Sequence, residues 1–199
     1  MHPLFDAANA LRSAQMEERK PHKRLELEIE PMEILQTDRL DLRRPDAADL
    51  PGWETFFTSE RASHVGGGPQ STAALAWRVF AVFLGHWDLR GTGPFVLHLR
   101  ETGEAIGLAG PWYPQGWPAR ELTWSLWQSR YEGFGLAFES VRAIRQHVAA
   151  DLGWPQAVSY VASDNASSIK LCQRLGCVEN PTLPTPDEDP TRTFVHTWS

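Results

Sequence analysis

The stretch Glu121-Leu-Thr-Trp-Ser-Leu-Trp-Gln-Ser-Arg-Tyr-Glu-Gly-Phe-Gly-Leu-Ala-Phe-Glu139 carries the pattern that decides the fold. From Glu121 to Trp127 polar and apolar side chains alternate, the period of a half-buried strand. Arg130-Tyr-Glu-Gly-Phe-Gly135 is a glycine-punctuated turn, and a helical stripe follows at Phe134, Ala137, Phe138, Val141, Ile144 and Val148. A strand, a tight glycine turn and a helix start aim free backbone N–H groups and the positive end of a helix dipole at one point. An anion, most often a phosphate, suits that point.

Working outward, Ile34 to Arg44 reads as a first strand through Leu40 and Leu42. Pro45 and Asp46 open a helix with Asp46 as N-cap and Leu50, Trp53, Phe56 and Phe57 turned inward. After the Gly66-Gly-Gly-Pro69 break, a second helix spans about 72–89 and presents Leu75, Val79, Val82, Phe83 and Trp87 on one side. Strands at 94–100 and 104–110 meet across Glu101-Thr-Gly103, a hairpin connection. Trp112 and Trp117 belong to a Pro/Gly-rich loop before the central stretch. Beyond the central helix come a strand at 157–162, a helix from Asp164-Asn165 to Leu175 stopped by Gly176, and a closing strand at 192–198.

This order describes a mixed α/β domain with its antiparallel strands early and a parallel pair where the central helix crosses over. Residues 1–33 are polar and mixed in charge and read as an N-terminal extension to a domain of residues 34–199. A net charge of −6 argues against a nucleic-acid partner or an anionic membrane surface, both of which call for a basic face. No apolar run approaches the roughly 20 residues of a transmembrane helix, and no secretory signal opens the sequence. Cys172 and Cys177 are too few for a disulfide framework and have no His/Cys company to hold a metal. The expected setting is the reduced cytoplasm.

The glycine turn is not a Walker loop, because no Lys-Ser/Thr follows Gly135. It is not the dinucleotide fingerprint either, which needs a third glycine and a downstream acid. The chain does resemble the GNAT acetyltransferases, and among them the RimJ/RimL branch. Leu35 to Arg43 resembles that branch's opening strand, and Gly103-Glu-Ala-Ile-Gly107 its hairpin. Arg130 to Ala137 resembles its acetyl-CoA pyrophosphate loop, and Asn165-Ala-Ser-Ser168 through Leu175-Gly176-Cys177 its last motif. The resemblance implies a mostly antiparallel sheet of about six to seven strands, flanked by about four helices and splayed between the fourth and fifth strands.

The same resemblance implies acetyl-CoA as co-substrate, without a metal, and an amine as acceptor, either a protein N-terminus or a small molecule. It implies that Arg130, Tyr131, Glu132, Gly133, Phe134, Gly135 and Leu136 form the pyrophosphate loop, with backbone N–H groups of 131–136 as donors. Leu126, Trp127 and Gln128 would pair with the pantetheine amides, and Asn165 and Ser168 would face the thiol. A splayed strand needs such partners for its unpaired backbone groups.

Acyl transfer to an amine needs a base for the ammonium proton and an acid for the leaving thiolate. Glu121 is the candidate base, against the alternative of a solvated strand carboxylate; Ser168 is the candidate acid or thiol-orienting group, against that of a serine satisfying backbone. Glu132 brings a negative charge into a phosphate loop, partly offset by Arg130, and Phe134 stands where the family often has a polar side chain. His64, Trp112, Tyr113 and Trp117 are candidates for the acceptor wall. The protein is expected as a monomer or homodimer. The competing expectation is a non-catalytic acyl-CoA-binding module of the same fold.

Overall fold

The computed structural model describes residues 34–186 and 190–198. The extension expected at 1–33 lies outside them. The opening strand divides in two, Ile34–Gln36 (β1) and Leu40–Arg43 (β2), paired antiparallel. Thr37 makes the turn between them. Its N–H donates to the Leu40 carbonyl at 2.9 Å and its hydroxyl accepts from the Leu40 N–H at 3.0 Å.

Asp46 caps as expected, accepting from the Ala48 N–H at 2.7 Å, and one 3-10 turn leads into the first helix, Leu50–Phe57 (α1). Thr72 caps the second, Ala73–Arg90 (α2). Its buried face is Ala76, Phe80, Phe83, His86 and Trp87, not the stripe expected through Leu75 and Val82, which are 36% and 50% exposed. The helix is apolar on both sides, so its pattern alone does not fix its rotation. Trp53 fixes it: its indole N–H donates to the Ala76 carbonyl at 2.9 Å, an approach the small Ala76 side chain permits.

Phe95–Leu99 (β3) and Ala105–Trp112 (β4) form the expected hairpin, so Trp112 is a strand residue. Glu121–Leu126 (β5), one 3-10 turn at Ser129–Tyr131 and Leu136–Ala150 (α3) follow. Ala157–Ala162 (β6), Ala166–Arg174 (α4), Val178–Glu179 (β7) and Thr191–His196 (β8) complete the order. The result is an eight-stranded sheet ordered β1-β2-β3-β4-β5-β6-β8-β7. All neighbours are antiparallel except β5 and β6, joined by the α3 crossover. The expected sheet was one to two strands smaller, because the β1–β2 turn and the two-residue β7 carry only short local signals.

Each face of the sheet has its own core. Leu40, Leu42, Phe95, Leu97 and Leu122 pack with Val141, Ile144 and Val148 of α3. Val96, Leu108 and Trp127 pack on the opposite side with Trp53, Phe57, Phe80 and Phe83 of α1 and α2. Burying each such side chain is worth about 1.5–3 kcal/mol. Phe134, expected on the α3 stripe, is 67% exposed because it lies before the helix, between two glycines in the left-handed region.

Candidate active site

β5 and β6 run side by side for one residue pair, Glu121 with Val158, and then part. The Val158 N–H donates to the Arg120 carbonyl at 2.9 Å, and the Ser159 hydroxyl to the Leu122 carbonyl at 2.5 Å. Strand alternation therefore turns the backbone groups of Trp124 and Leu126 toward the same gap, where no strand meets them. A side chain bridges it instead: the Trp124 indole N–H donates to Ser168 Oγ at 3.1 Å, on the first turn of α4.

The three residues expected to line the gap separate. Leu126 faces it. The Trp127 N–H is committed to the Ile106 carbonyl at 2.8 Å, and its buried ring packs against Trp53 with centroids 6.3 Å apart. Gln128 lies at the entry to the 3-10 turn and does not line the cavity. Trp127, one residue past β5, thus belongs to the core, its N–H turned to β4 and its ring packed with Trp53 and Leu108.

A cavity of about 690 Å³ runs from this gap to the α3 N-terminus, lined by Leu126, Tyr131, Glu132, Gly133, Gly135 and Leu136 on one side and by α4 on the other. Gly133 and Gly135 hold φ of 80° and 77°, and Gly135 gives α3 no side-chain cap. The expected donors shift along the chain by two. The N–H groups of Tyr131 and Glu132 are spent on the carbonyls of Gln128 and Ser129. Among the described residues, those of Gly133 to Phe138 meet no acceptor. Six amides around a helix start form a cradle for an anion.

The cradle is held from outside. Glu139 accepts from the Thr37 hydroxyl at 2.6 Å, the Arg39 N–H at 2.9 Å and Arg39 Nε at 2.7 Å, while Arg39 Nη1 donates to the Phe134 carbonyl at 3.0 Å. Burial pushes the Glu139 carboxyl up, and these bonds outweigh it and hold the group below its ordinary value. Arg130 does not offset Glu132. It pairs with Glu104 together with the Tyr131 hydroxyl, which lies 2.5 Å from Glu104 Oε2. The Tyr131 hydroxyl bond, then the Arg130 one, keeps the Glu104 carboxyl below its ordinary range. Arg130 and Phe134 do not line the cavity.

Arg61 is the residue that sequence reasoning missed. It donates to Glu132 Oε1 at 2.5 Å, the Leu126 carbonyl at 3.0 Å and the Trp127 carbonyl at 3.2 Å. Lys170 and Arg174 add positive charge on the α4 wall.

A second cavity, about 480 Å³, opens on the other side of the gap and shares His64, Trp124, Ser125, Asn165 and Ser168 with the first. Glu121 lines it and accepts from the Trp117 indole N–H at 2.7 Å; the residue is 7% exposed, so the solvated strand carboxylate is not what the fold builds. Trp112 and Trp117 line it too, and His64 Nε2 stands 3.2 Å from Asp164 Oδ1 at the shared edge. Tyr113 does not; it stacks under the Arg90 guanidinium, 5.0 Å from the ring centre. Asn165 caps α4 by accepting from the Ser168 N–H at 3.1 Å, which leaves the Ser168 hydroxyl to Trp124 rather than to backbone.

Among the described residues no group of three or more His, Cys, Asp or Glu could hold a metal, and no helix is long and apolar enough to cross a membrane.

The sequence profile of the acetyltransferase (GNAT) domain matches residues 39–178. The crystal structure of an acetyltransferase from Agrobacterium tumefaciens str. C58 is 34% identical, with a TM-score of 0.78 over 84% of this chain and 95% of that one. A Bordetella pertussis protein assigned to the GNAT acetyltransferases is 24% identical, with a TM-score of 0.70 over 83% of this chain and 99% of its own. RimL, a ribosomal L7/L12 alpha-N-protein acetyltransferase in complex with coenzyme A, is 16% identical and shares the fold at a TM-score of 0.66, over 83% of this chain and 98% of its own. No curated protein matches the sequence. Through its profile match and its Agrobacterium relative, this chain belongs to the GNAT acetyltransferase family.

Proposed function

We propose that the protein is an acetyl-CoA-dependent N-acetyltransferase that moves an acetyl group onto a primary amine held beside it. One observation carries the reading. The cavity with the amide cradle and the cavity with a buried carboxylate meet at the parted strands, at Trp124, Ser125, Asn165 and Ser168.

The residues present suit acetyl-CoA. The amides of Gly133 to Phe138 would take the pyrophosphate, with Arg61, Lys170 and Arg174 offsetting its charge. The backbone groups of Trp124 and the N–H of Leu126, whose carbonyl Arg61 holds, would pair with the amide-rich pantetheine arm. When bound, acetyl-CoA supplies the activated acetyl group. Glu121 takes the proton that the ammonium must lose before its nitrogen can attack. Trp117 orients that carboxylate. Ser168, whose oxygen accepts from Trp124, has its own proton to donate toward the departing sulfur; a serine is a weak acid, so positioning carries much of the rate. The setting is the reduced cytoplasm, consistent with the two free cysteines.

The test is calorimetric titration of acetyl-CoA together with thiol-release turnover on wild type and Glu121→Gln. The expected result is unchanged acetyl-CoA affinity in Glu121→Gln with turnover lower by about 10²–10⁴-fold. Acetyl-CoA binding without turnover on any amine in the wild type would establish an acyl-CoA-binding module instead. No binding at all overturns both.

A further inference from the structure

We propose that the second cavity selects an amine carried on an uncharged aromatic body, an arylalkylamine; this rests on the acetyltransferase reading above. The walls are a run of rings set nearly perpendicular to one another. Phe83 and Trp112 have centroids 5.3 Å apart at 73°, Trp112 and Trp117 6.4 Å at 79°, Trp117 and Tyr160 6.5 Å at 76°. The last ring before the carboxylate is Trp117, which donates its N–H to Glu121. An ammonium drawn to Glu121 therefore enters along ring faces, which attract cations and stack well with a flat apolar group.

The walls are fixed in advance. Trp112 stacks on His86 with centroids 5.0 Å apart and planes at 19°. His86 is itself clamped: Nδ1–H donates to the Thr92 carbonyl at 2.6 Å and Nε2 accepts from the Tyr113 N–H at 2.9 Å. A preset aromatic slot keeps little freedom to lose when a ligand binds. Its volume of about 480 Å³ is within the range of small-molecule sites.

The charges on the walls sharpen the choice. Glu121 is the only carboxylate, and no Lys or Arg is present, among the described residues lining this cavity. Tyr160 adds no second anion at neutral pH, because burial first and then the charge of Glu121 push its phenol up to about 12. A carboxylate on the acceptor would be stripped of water without a counter-ion. A second ammonium would find no second carboxylate among the described residues lining this cavity.

In the reaction the ammonium gives one proton to Glu121, and the freed amine forms the N–C bond to the acetyl carbon. The C–S bond breaks, sulfur takes a proton from the Ser168 hydroxyl, and the second proton lost from the nitrogen restores that hydroxyl, so an amide and coenzyme A leave.

The full chain is assayed with acetyl-CoA and 2-phenylethylamine, L-phenylalanine, spermidine, kanamycin and a serine-initiated peptide. L-Phenylalanine differs from 2-phenylethylamine only by its carboxylate. Amine binding to the coenzyme A complex is read separately by tryptophan fluorescence, and acetyl-CoA binding by calorimetry. The expected kcat/KM for 2-phenylethylamine is about 100-fold or more above that for L-phenylalanine, and above all other acceptors. Trp117→Ala is expected to raise KM for 2-phenylethylamine about tenfold, with acetyl-CoA affinity unchanged as the check on folding. If acetyl-CoA binds but spermidine, kanamycin, the peptide or L-phenylalanine matches or exceeds 2-phenylethylamine, the substrate class is overturned and the acetyltransferase reading stands. If acetyl-CoA does not bind, both fall.

Discussion

Arg61 binds Glu132 at 2.5 Å while also holding the carbonyl of Leu126 at 3.0 Å, so one guanidinium joins the glycine turn before α3 to the open edge of β5. The pair explains how a carboxylate is tolerated among amides meant for an anion. Removing Arg61 exposes that negative charge to the pyrophosphate. Arg61→Ala is expected to weaken acetyl-CoA about fivefold, roughly 1 kcal/mol for a half-exposed pair. The double variant Arg61→Ala/Glu132→Gln should recover most of the loss by calorimetry. Equal losses in the single and double variants would show that Arg61 does not act through Glu132.

Gly135 separates backbone conformation from occupied space. A Cβ there would meet nothing closer than Arg174 Nη1 at 3.8 Å and Arg39 Nη2 at 3.9 Å, so it clashes with no protein atom. It would stand in the cradle, on a residue at φ +77°. Gly135→Ala is expected to lose about 1–2 kcal/mol of stability through the left-handed backbone and acetyl-CoA affinity by more than about tenfold. Gly176, at φ +73° with open space around it, is the control. Gly176→Ala should show the same stability loss with acetyl-CoA affinity intact. Matching affinities in the two variants would remove the cradle from the site.

Ser168→Ala leaves the Trp124 indole without its acceptor and the departing sulfur without a nearby hydroxyl. Turnover is expected to fall about 10–100-fold with acetyl-CoA affinity within about twofold of wild type. An unchanged kcat would reduce Ser168 to a support for Trp124.

Two groups make stability depend on pH in different windows. Burial, reinforced by the charge of Arg90, lowers the His86 pKa below 6.5 despite its bond to the Thr92 carbonyl. The unfolded chain therefore binds that proton more readily, and stability should fall as pH drops below 6.5 toward the folded value. Glu139 is a carboxylate held below its ordinary 4.5, so its contribution is complete above that pH and is lost as pH falls through the folded value. Urea melts from pH 8 to pH 3 on wild type, His86→Gln and Glu139→Gln check both. The upper slope should vanish in the first variant and the lower slope should shrink in the second.

What could be read from the sequence was local. The strand, glycine turn and helix of 121–150, the hairpin at Gly103 and the Asn165 cap each lie within a few residues of their signals. Arg61 was invisible because its partners lie 65, 66 and 71 residues away. The rotation of α2 was unreadable because Leu75, Val82 and Leu89 make its outer face as apolar as its inner one. Trp127 and Leu126 look alike in sequence. Strand parity, set by the single contact of Glu121 with Val158, sends one to the core and the other to the gap.

That single contact also has a mechanical meaning. A sheet whose halves share one strand pair, backed by the Ser159 hydroxyl on the Leu122 carbonyl, is notched, and β1–β5 and β6–β8 can loosen from each other without breaking any other strand pair. Amide exchange should therefore report two protection blocks that meet at the notch, with the Trp124 and Leu126 amides exchanging early. A bound pantetheine arm would act as a splint across the notch and merge the blocks, so the enzyme should be mechanically whole only while it carries its acetyl donor.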